Sequence, residues 1–130
     1  MASEHLIVTA AVVERDGALL VTRRGAHQHL AGMWEFPGGK CEPGETLAAC
    51  LRREMREELD VDVSVGDEIY AVTHTYPERS VELHFFACTL NGSPRAVLGQ
   101  EMRWMARREL RPEEFPPADA ELIARLRRAL

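Results

Sequence analysis

Gly39-Lys-Cys-Glu-Pro-Gly-Glu-Thr-Leu-Ala-Ala-Cys-Leu-Arg-Arg-Glu-Met-Arg-Glu-Glu-Leu-Asp-Val61 reads as a turn that leads into a helix. Pro43 and Gly44 break the chain, Thr46 can serve as a helix cap, and the spacing predicts a helix over Thr46 to Leu59. At about 100° per residue, Leu47, Leu51, Met55 and Leu59 form one drifting apolar stripe. Glu54 and Glu58 fall on the edge of that stripe, beside Leu47. Glu57 lies a little further round, and Arg52, Arg53 and Arg56 are expected on the opposite, outward face. Acidic residues on a solvated helix face would lie opposite the leucines, and these do not. Like charges three or four residues apart repel by about 0.2–0.5 kcal/mol per pair on an exposed helix. Crowding them toward a core makes this worse unless a cation sits among them. Hard oxygen ligands suit Mg²⁺ or Mn²⁺, with phosphate oxygens completing the shell.

Around this segment the chain reads as one small domain. It has 130 residues, and its 45% hydrophobic content is enough for a core at that size. A net charge of −5 argues against a general nucleic-acid-binding surface. A free nucleotide is an easier partner, because it needs only a local basic pocket. Cys41, Cys50 and Cys88 are odd in number and lack metal-site spacing, which predicts three reduced thiols in a cytosolic protein. The N-terminal Met1-Ala-Ser-Glu-His5 has no basic region, and no segment reaches transmembrane length. No membrane partner is expected, and a monomer is favoured.

Along the chain, His5 to Val13 is apolar and β-branched and predicts a buried strand. Arg15-Asp16-Gly17 is a turn signal, and Ala18 to Thr22 predicts the returning strand. Gly25 to Met33 is a loop with two histidines, and Trp34 to Gly39 leads into the helix. Val61 to Tyr76 and Ser80 to Leu90 predict a long hairpin that turns at Pro77-Glu78-Arg79. Met102 to Met105 is a short strand, and Arg107 to Leu110 one helical turn. Pro117 to Leu130 is expected as a final amphipathic helix with Leu122, Ile123, Leu126 and Leu130 inward. Strands, a helix, more strands and a last helix suit a mixed sheet between helices.

Gly39, Glu45, Arg53, Glu54, Met55, Glu57, Glu58 and Val61 also fit a longer pattern. It runs Gly, five residues, Glu, seven residues, Arg-Glu-apolar-any-Glu-Glu-any-Gly-apolar, and the segment resembles the Nudix box. Asp60 stands where that family usually has Gly, a position that Asp can fill in the left-handed conformation. Thr22-Arg23-Arg24, His29-Leu30-Ala31, Glu35-Phe36-Pro37-Gly38-Gly39-Lys40 and Phe115-Pro116-Pro117-Ala118-Asp119 extend the likeness, over nearly the whole chain, to the MutT-like Nudix hydrolases. The resemblance implies an α/β fold, the α/β/α sandwich with a mixed central sheet, as a single domain over residues 1–130.

It also implies a Mg²⁺-dependent hydrolase, with Mn²⁺ as a substitute, that cleaves 8-oxo-dGTP or related nucleotides to the monophosphate and pyrophosphate. Glu54, Glu57 and Glu58 match the catalytic and metal-binding carboxylates, and the Gly38 carbonyl matches a further ligand. Glu101 is an additional candidate ligand from the loop before the last strand. Glu54 matches the general base. Arg24 is expected on phosphate, and His29, Glu35, Phe36, Arg79 and Asp119 complete the substrate-binding set. Arg53 and Glu45 are expected to pair and to shape the loop into the helix. Asp119 stands where an amide reads the purine edge, and an ionised carboxylate accepts hydrogen bonds but cannot donate them. Two other readings stay open. One is a CTP or 5-methyl-dCTP pyrophosphohydrolase. The other is a catalytically inactive nucleotide-binding module, which would typically lack one of the three glutamates.

Overall fold

The structure is a computed structural model and describes residues 4–129. The Met1-Ala-Ser segment and Leu130 lie outside the described residues. Seven strands and two helices succeed one another as β1 (Glu4–Arg15), β2 (Ala18–Arg23), β3 (Trp34–Glu35), β4 (Gly38–Lys40), α1 (Leu47–Leu59), β5 (Val63–Thr75), β6 (Arg79–Leu90), β7 (Met102–Ala106) and α2 (Ala120–Arg128). Single 3₁₀ turns at Arg107–Glu109, Pro112–Glu114 and Pro117–Asp119 fill the stretch between β7 and α2.

The strands form one mixed sheet in the order β3-β2-β1-β6-β5, with β4 also paired to β1 and β7 to β2. Strands β1 and β6 run parallel from Glu4↔Arg79 to Val13↔Cys88, and the other pairings are antiparallel. The apolar run in β1 is buried on both faces. Ala11 and Val13 pack with Leu51, Met55 and Leu59 of α1, while Ala10 and Val12 belong to the opposite core with Leu122, Ile123 and Leu126 of α2. A strand covered on both sides needs continuous rather than alternating hydrophobicity, and the β1 sequence has it. The sandwich expected from the order of elements is therefore present.

Helix α1 starts and stops as its sequence dictates. The Thr46 hydroxyl accepts from the Ala49 amide at 3.1 Å. Asp60 ends the helix in the left-handed conformation, at φ 49° and ψ 46°, and its carboxylate pairs with Arg95 at 2.9 Å. The loop after β6 then covers the helix end: Arg95 donates to the Leu59 carbonyl, and Val97 and the Gln100 side chain donate to that of Glu58. Carbonyls that a helix leaves unpaired at its C-terminus are satisfied in this way.

Four expectations need correcting. Trp34–Glu35 and Gly38–Lys40, read as a lead into the helix, are short strands on β2 and β1. The last helix begins at Ala120, because Pro117 to Asp119 forms a 3₁₀ turn first. Arg53 does not face outward: its guanidinium turns back along the helix to the loop before it. Cys41 and Cys50 are joined in a disulfide with Cα atoms 5.3 Å apart, and only Cys88 is a free thiol. The turn at Pro43-Gly44 folds the chain back, which carries Cys41 over the start of α1.

Candidate active site

A cavity of about 390 Å³ opens where β1, β4, β6, α1 and the start of α2 meet. Its floor on the α2 side of the sheet is apolar, with Val8 and Ala10 from β1, Leu83 and Phe85 from β6, and Phe36. Arg24, His29, Glu35, Arg79 and Asp119 also line it, as do Gly38, Glu54 and Glu58. A concave, mostly apolar pocket with a few convergent polar groups is the usual form of a small-molecule site. Three elements bring these residues together. Pairing of β4 with β1 sets Gly38 and Gly39 beside the sheet. The helical period sets Glu54 and Glu58 above them, and the 3₁₀ turn at Pro117–Asp119 points Asp119 in from the opposite side.

The two glycines of strand β4 have no room for a side chain. A Cβ on Gly38 would collide with the backbone of Thr9 and Ala10, and one on Gly39 would run into the Glu54 carboxylate. The two glycines therefore let the helix carboxylates approach the backbone closely.

Arg53 organises the helix side of the site. Its Nε and Nη2 grip Glu45 at 2.7 and 2.8 Å, its Nη1 reaches Glu54 and Glu57 at 2.9 Å each, and its Nη2 also donates to the Lys40 carbonyl at 3.1 Å. The expected Arg53–Glu45 pair is thus present, and the Arg53 hydrogen bond draws the Glu45 carboxyl down to about 2. A planar fork can hold several carboxylates at fixed angles, which a lysine cannot.

The two inward glutamates are electrostatically crowded. Burial pushes the Glu58 carboxyl up to about 8, repulsion from Glu35 and Glu54 adds to this, and the Gly38 amide and Arg24 pull the other way. Burial also raises Glu54, against the pull of Arg53. Glu57 is exposed, is occupied by Arg53 and does not line the cavity. Glu101 pairs with Arg23 at 3.0 Å and lines an adjoining depression that shares Arg24, Glu35 and Glu58 with the main cavity. Among the described residues, no three His, Cys, Asp or Glu side chains are gathered closely enough to hold a cation as they stand. The donor set nevertheless fits a hard divalent ion. Glu54 and Glu58 are oxygen donors in a buried setting crowded with other carboxylates, which a cation would relieve.

Arg24 is fixed by the site itself, donating to Glu35 at 2.6 Å and to the His29 carbonyl. His29 stacks edge-on against Tyr76, with ring centroids 4.8 Å apart. Phe36 packs among Phe85 and Phe115 under the cavity floor. Trp34 belongs to the core. Tyr76 and Lys40 also line the cavity; Lys40 ends the Glu35–Lys40 motif with no role expected of it, and Tyr76 belongs to none of the motifs. The one sequence signal for Tyr76 is its place as the aromatic residue just before the Pro77-Glu78-Arg79 turn.

Asp119 is 3% exposed and does not cap α2, since its side chain makes no capping hydrogen bond. Burial first, and then repulsion from Glu35, push its carboxyl up to about 7, with Arg24 opposing. The folded value lies above the ordinary 3.8, so the folded state holds more protons than the unfolded one between about pH 4 and 7. The Asp119 contribution to stability is therefore full below pH 4 and is lost as pH rises toward 7. Asp119→Asn removes this titration. It is expected to be more stable than the parent at pH 8, by on the order of 1–4 kcal/mol, with the gap closing at pH 4. Urea unfolding at the two pH values checks this, and an equal gap at both would contradict it.

A sequence model described as NUDIX domain matches residues 8–125. The chain is 36% identical over 117 residues to a CTP pyrophosphohydrolase of Escherichia coli, covering 89% of this chain and 87% of that one. It is 32% identical over 123 residues to an 8-oxo-dGTP diphosphatase of the same organism, covering 94% and 95%. The solution structure of the MutT protein of methicillin-resistant Staphylococcus aureus superposes with a TM-score of 0.81 at 32% identity, covering 99% of this chain and all of that one.

Proposed function

The chain belongs to the Nudix family, and from that premise we propose that it is a MutT-type nucleoside triphosphate pyrophosphohydrolase whose main substrate is 8-oxo-dGTP. One observation carries the reading: a single cavity is lined both by the buried Asp119 and by the crowded Glu54 and Glu58. A nucleobase fits the apolar floor, and the triphosphate runs toward the glutamates. An 8-oxo-dGTP diphosphatase and a CTP pyrophosphohydrolase are both among its relatives, which supports this reaction class.

Glu54, Glu57, Glu58 and the Gly38 carbonyl would hold Mg²⁺, or Mn²⁺ in its place, with Glu101 as an additional candidate ligand. The ion supplies charge neutralisation at the phosphate oxygens. Glu54 takes the proton from a water that attacks the β-phosphorus. The bond from that phosphorus to the α-bridging oxygen breaks, which releases the nucleoside monophosphate and pyrophosphate. Arg53 holds Glu54 in place through this step. Arg24, anchored by Glu35, offers a fixed positive charge in the cavity, and Arg79 offers a second. The base lies between the Phe36 side of the cavity and the Tyr76–His29 pair.

Asp119 sets the base preference. Ionised, it accepts from N1–H and the 2-amino group of a guanine, or from the N7–H that oxidation creates. With its carboxyl pushed up to about 7, it also carries a proton in part of the population near neutrality and can then donate to O6. Asp119→Ala is expected to cost about 1–3 kcal/mol of binding, felt mainly in KM because the chemistry at phosphorus is remote. Asp119→Asn keeps a donor at all pH values and should favour a guanine edge bearing O6. Steady-state kinetics with 8-oxo-dGTP, dGTP and CTP across the three proteins test this. Unchanged KM values in Asp119→Ala would show that the residue does not touch the base.

A second reading is a CTP or 5-methyl-dCTP pyrophosphohydrolase, favoured by the E. coli relative and by the ability of an ionised Asp119 to accept from the cytosine 4-amino group. In either case the enzyme would act as a cytoplasmic monomer that clears damaged or non-standard nucleotides from the pool, upstream of replication and DNA repair. No helix among the described residues is long and apolar enough to cross a membrane.

A further inference from the structure

Cys41 and Cys50 lie near the two ends of the loop that joins β4 to α1, nine residues apart in sequence. Their Cα separation of 5.3 Å is within the range that a disulfide spans without moving the backbone. The two positions are not equivalent. Cys50 is fully buried, with its sulfur 3.2 Å from the Thr9 hydroxyl and 3.8 Å from the Gly39 carbonyl. Cys41 is half-exposed and directly succeeds Lys40 on the cavity wall. We propose that Cys41 and Cys50 are a reversible dithiol–disulfide pair, closed by hydroperoxides, that staples the glycine strand β4 to the glutamate helix α1.

Exposure assigns the roles. Cys41 attacks a peroxide oxygen, forming a sulfenic acid and releasing one water. Cys50 attacks the Cys41 sulfur, the S–S bond forms, and the sulfenic oxygen leaves as a second water. The two thiols lose two electrons and two protons, and hydrogen peroxide is reduced to two waters. A dithiol reductant reverses the step by attacking the accessible Cys41 sulfur and leaves as its own disulfide. Cys88 stands apart on β6, and burial pushes its thiol up to about 11, away from the reactive thiolate.

The staple matters because the segment it closes carries the site. Gly39 abuts the Glu54 carboxylate, and the Lys40 carbonyl accepts from Arg53. Reduction leaves Cys50 wedged against Thr9 and frees the Cys41 side chain, so the loop is then held by hydrogen bonds and ion pairs without a covalent link: the Cys41 amide to the Ile7 carbonyl, the Glu42 amide to Glu45, the Arg53–Glu45 pair and the Thr46 cap. Closing the loop also restricts the unfolded chain. The benefit rests on the proposed hydrolysis of oxidised nucleotides: oxidants that damage guanine also close the staple, and the enzyme is firmest when its substrate is being made.

The test uses the full chain carrying Cys88→Ala, treated either with hydrogen peroxide or with dithiothreitol, and the same chain with Cys41→Ser added. Peroxide should remove about 2 Da, protect both cysteines from iodoacetamide and raise the melting temperature by about 5–10 °C, all reversibly. Magnesium-supported hydrolysis of 8-oxo-dGTP should persist in the oxidised form at temperatures where the reduced form has lost it. Cys41→Ser should show no redox shift and melt with the reduced form. Free thiols after peroxide, equal melting temperatures, or an inactive oxidised form would each overturn the proposal. Absence of 8-oxo-dGTP hydrolysis in both redox forms would instead overturn the proposed function, while the melting shift would still uphold the staple.

Discussion

Glu54→Gln is expected to lower kcat by at least about a hundredfold, the scale of losing a general base. The change is nearly isosteric. The Gln carbonyl can still accept from Arg53, and Gly39 still leaves room for the side chain. Folding should therefore survive, and the loss should appear in kcat and kcat/KM together, as for an interaction made in the transition state. Stopped assays of monophosphate release, beside a melting curve, separate chemistry from stability. More than a third of parental kcat in Glu54→Gln would remove this residue from the mechanism.

Removing divalent metal is expected to abolish turnover altogether. Burial, with repulsion from neighbouring carboxylates, raises the Glu54 carboxyl and pushes that of Glu58 up to about 8. A cation relieves that repulsion, so Mg²⁺ should also stabilise the fold, by about 2.7 kcal/mol at a hundred times its Kd. The sign of the pH dependence is set by Glu58. Its carboxyl, pushed up to about 8, must lose its proton to bind metal, so the Mg²⁺ requirement should ease as pH rises from 7 to 9. Isothermal titration with Mg²⁺ at the two pH values, and activity after EDTA and exhaustive dialysis, check both points. Full activity in EDTA would contradict the metal assignment.

The glutamates of α1 are legible in the sequence because a 3.6-residue period fixes which side chains share a face. The direction of Arg53 is not. A long side chain on the outward face can fold back along its own helix, and its partner Glu45 lies in the preceding loop. Strands β3 and β4 have two and three residues, too few for any alternation to show. The Cys41–Cys50 pairing depends on how sharply Pro43-Gly44 folds back, which a nine-residue spacing does not reveal. The position of Asp119 is legible from its motif. Its burial is not, because that burial depends on the 3₁₀ turn at Pro117–Asp119, which takes the place of the expected first residues of the last helix. Tyr76 belongs to no periodic pattern and becomes visible only when the hairpin brings it against His29.

The most direct measurement is kcat/KM for a nucleotide panel with Mg²⁺ present, combined with identification of both products. The cavity and its carboxylates predict that 8-oxo-dGTP ranks above dGTP and CTP and yields the nucleoside monophosphate and pyrophosphate. Release of orthophosphate and a diphosphate, or no hydrolysis of any triphosphate in the panel, would contradict it.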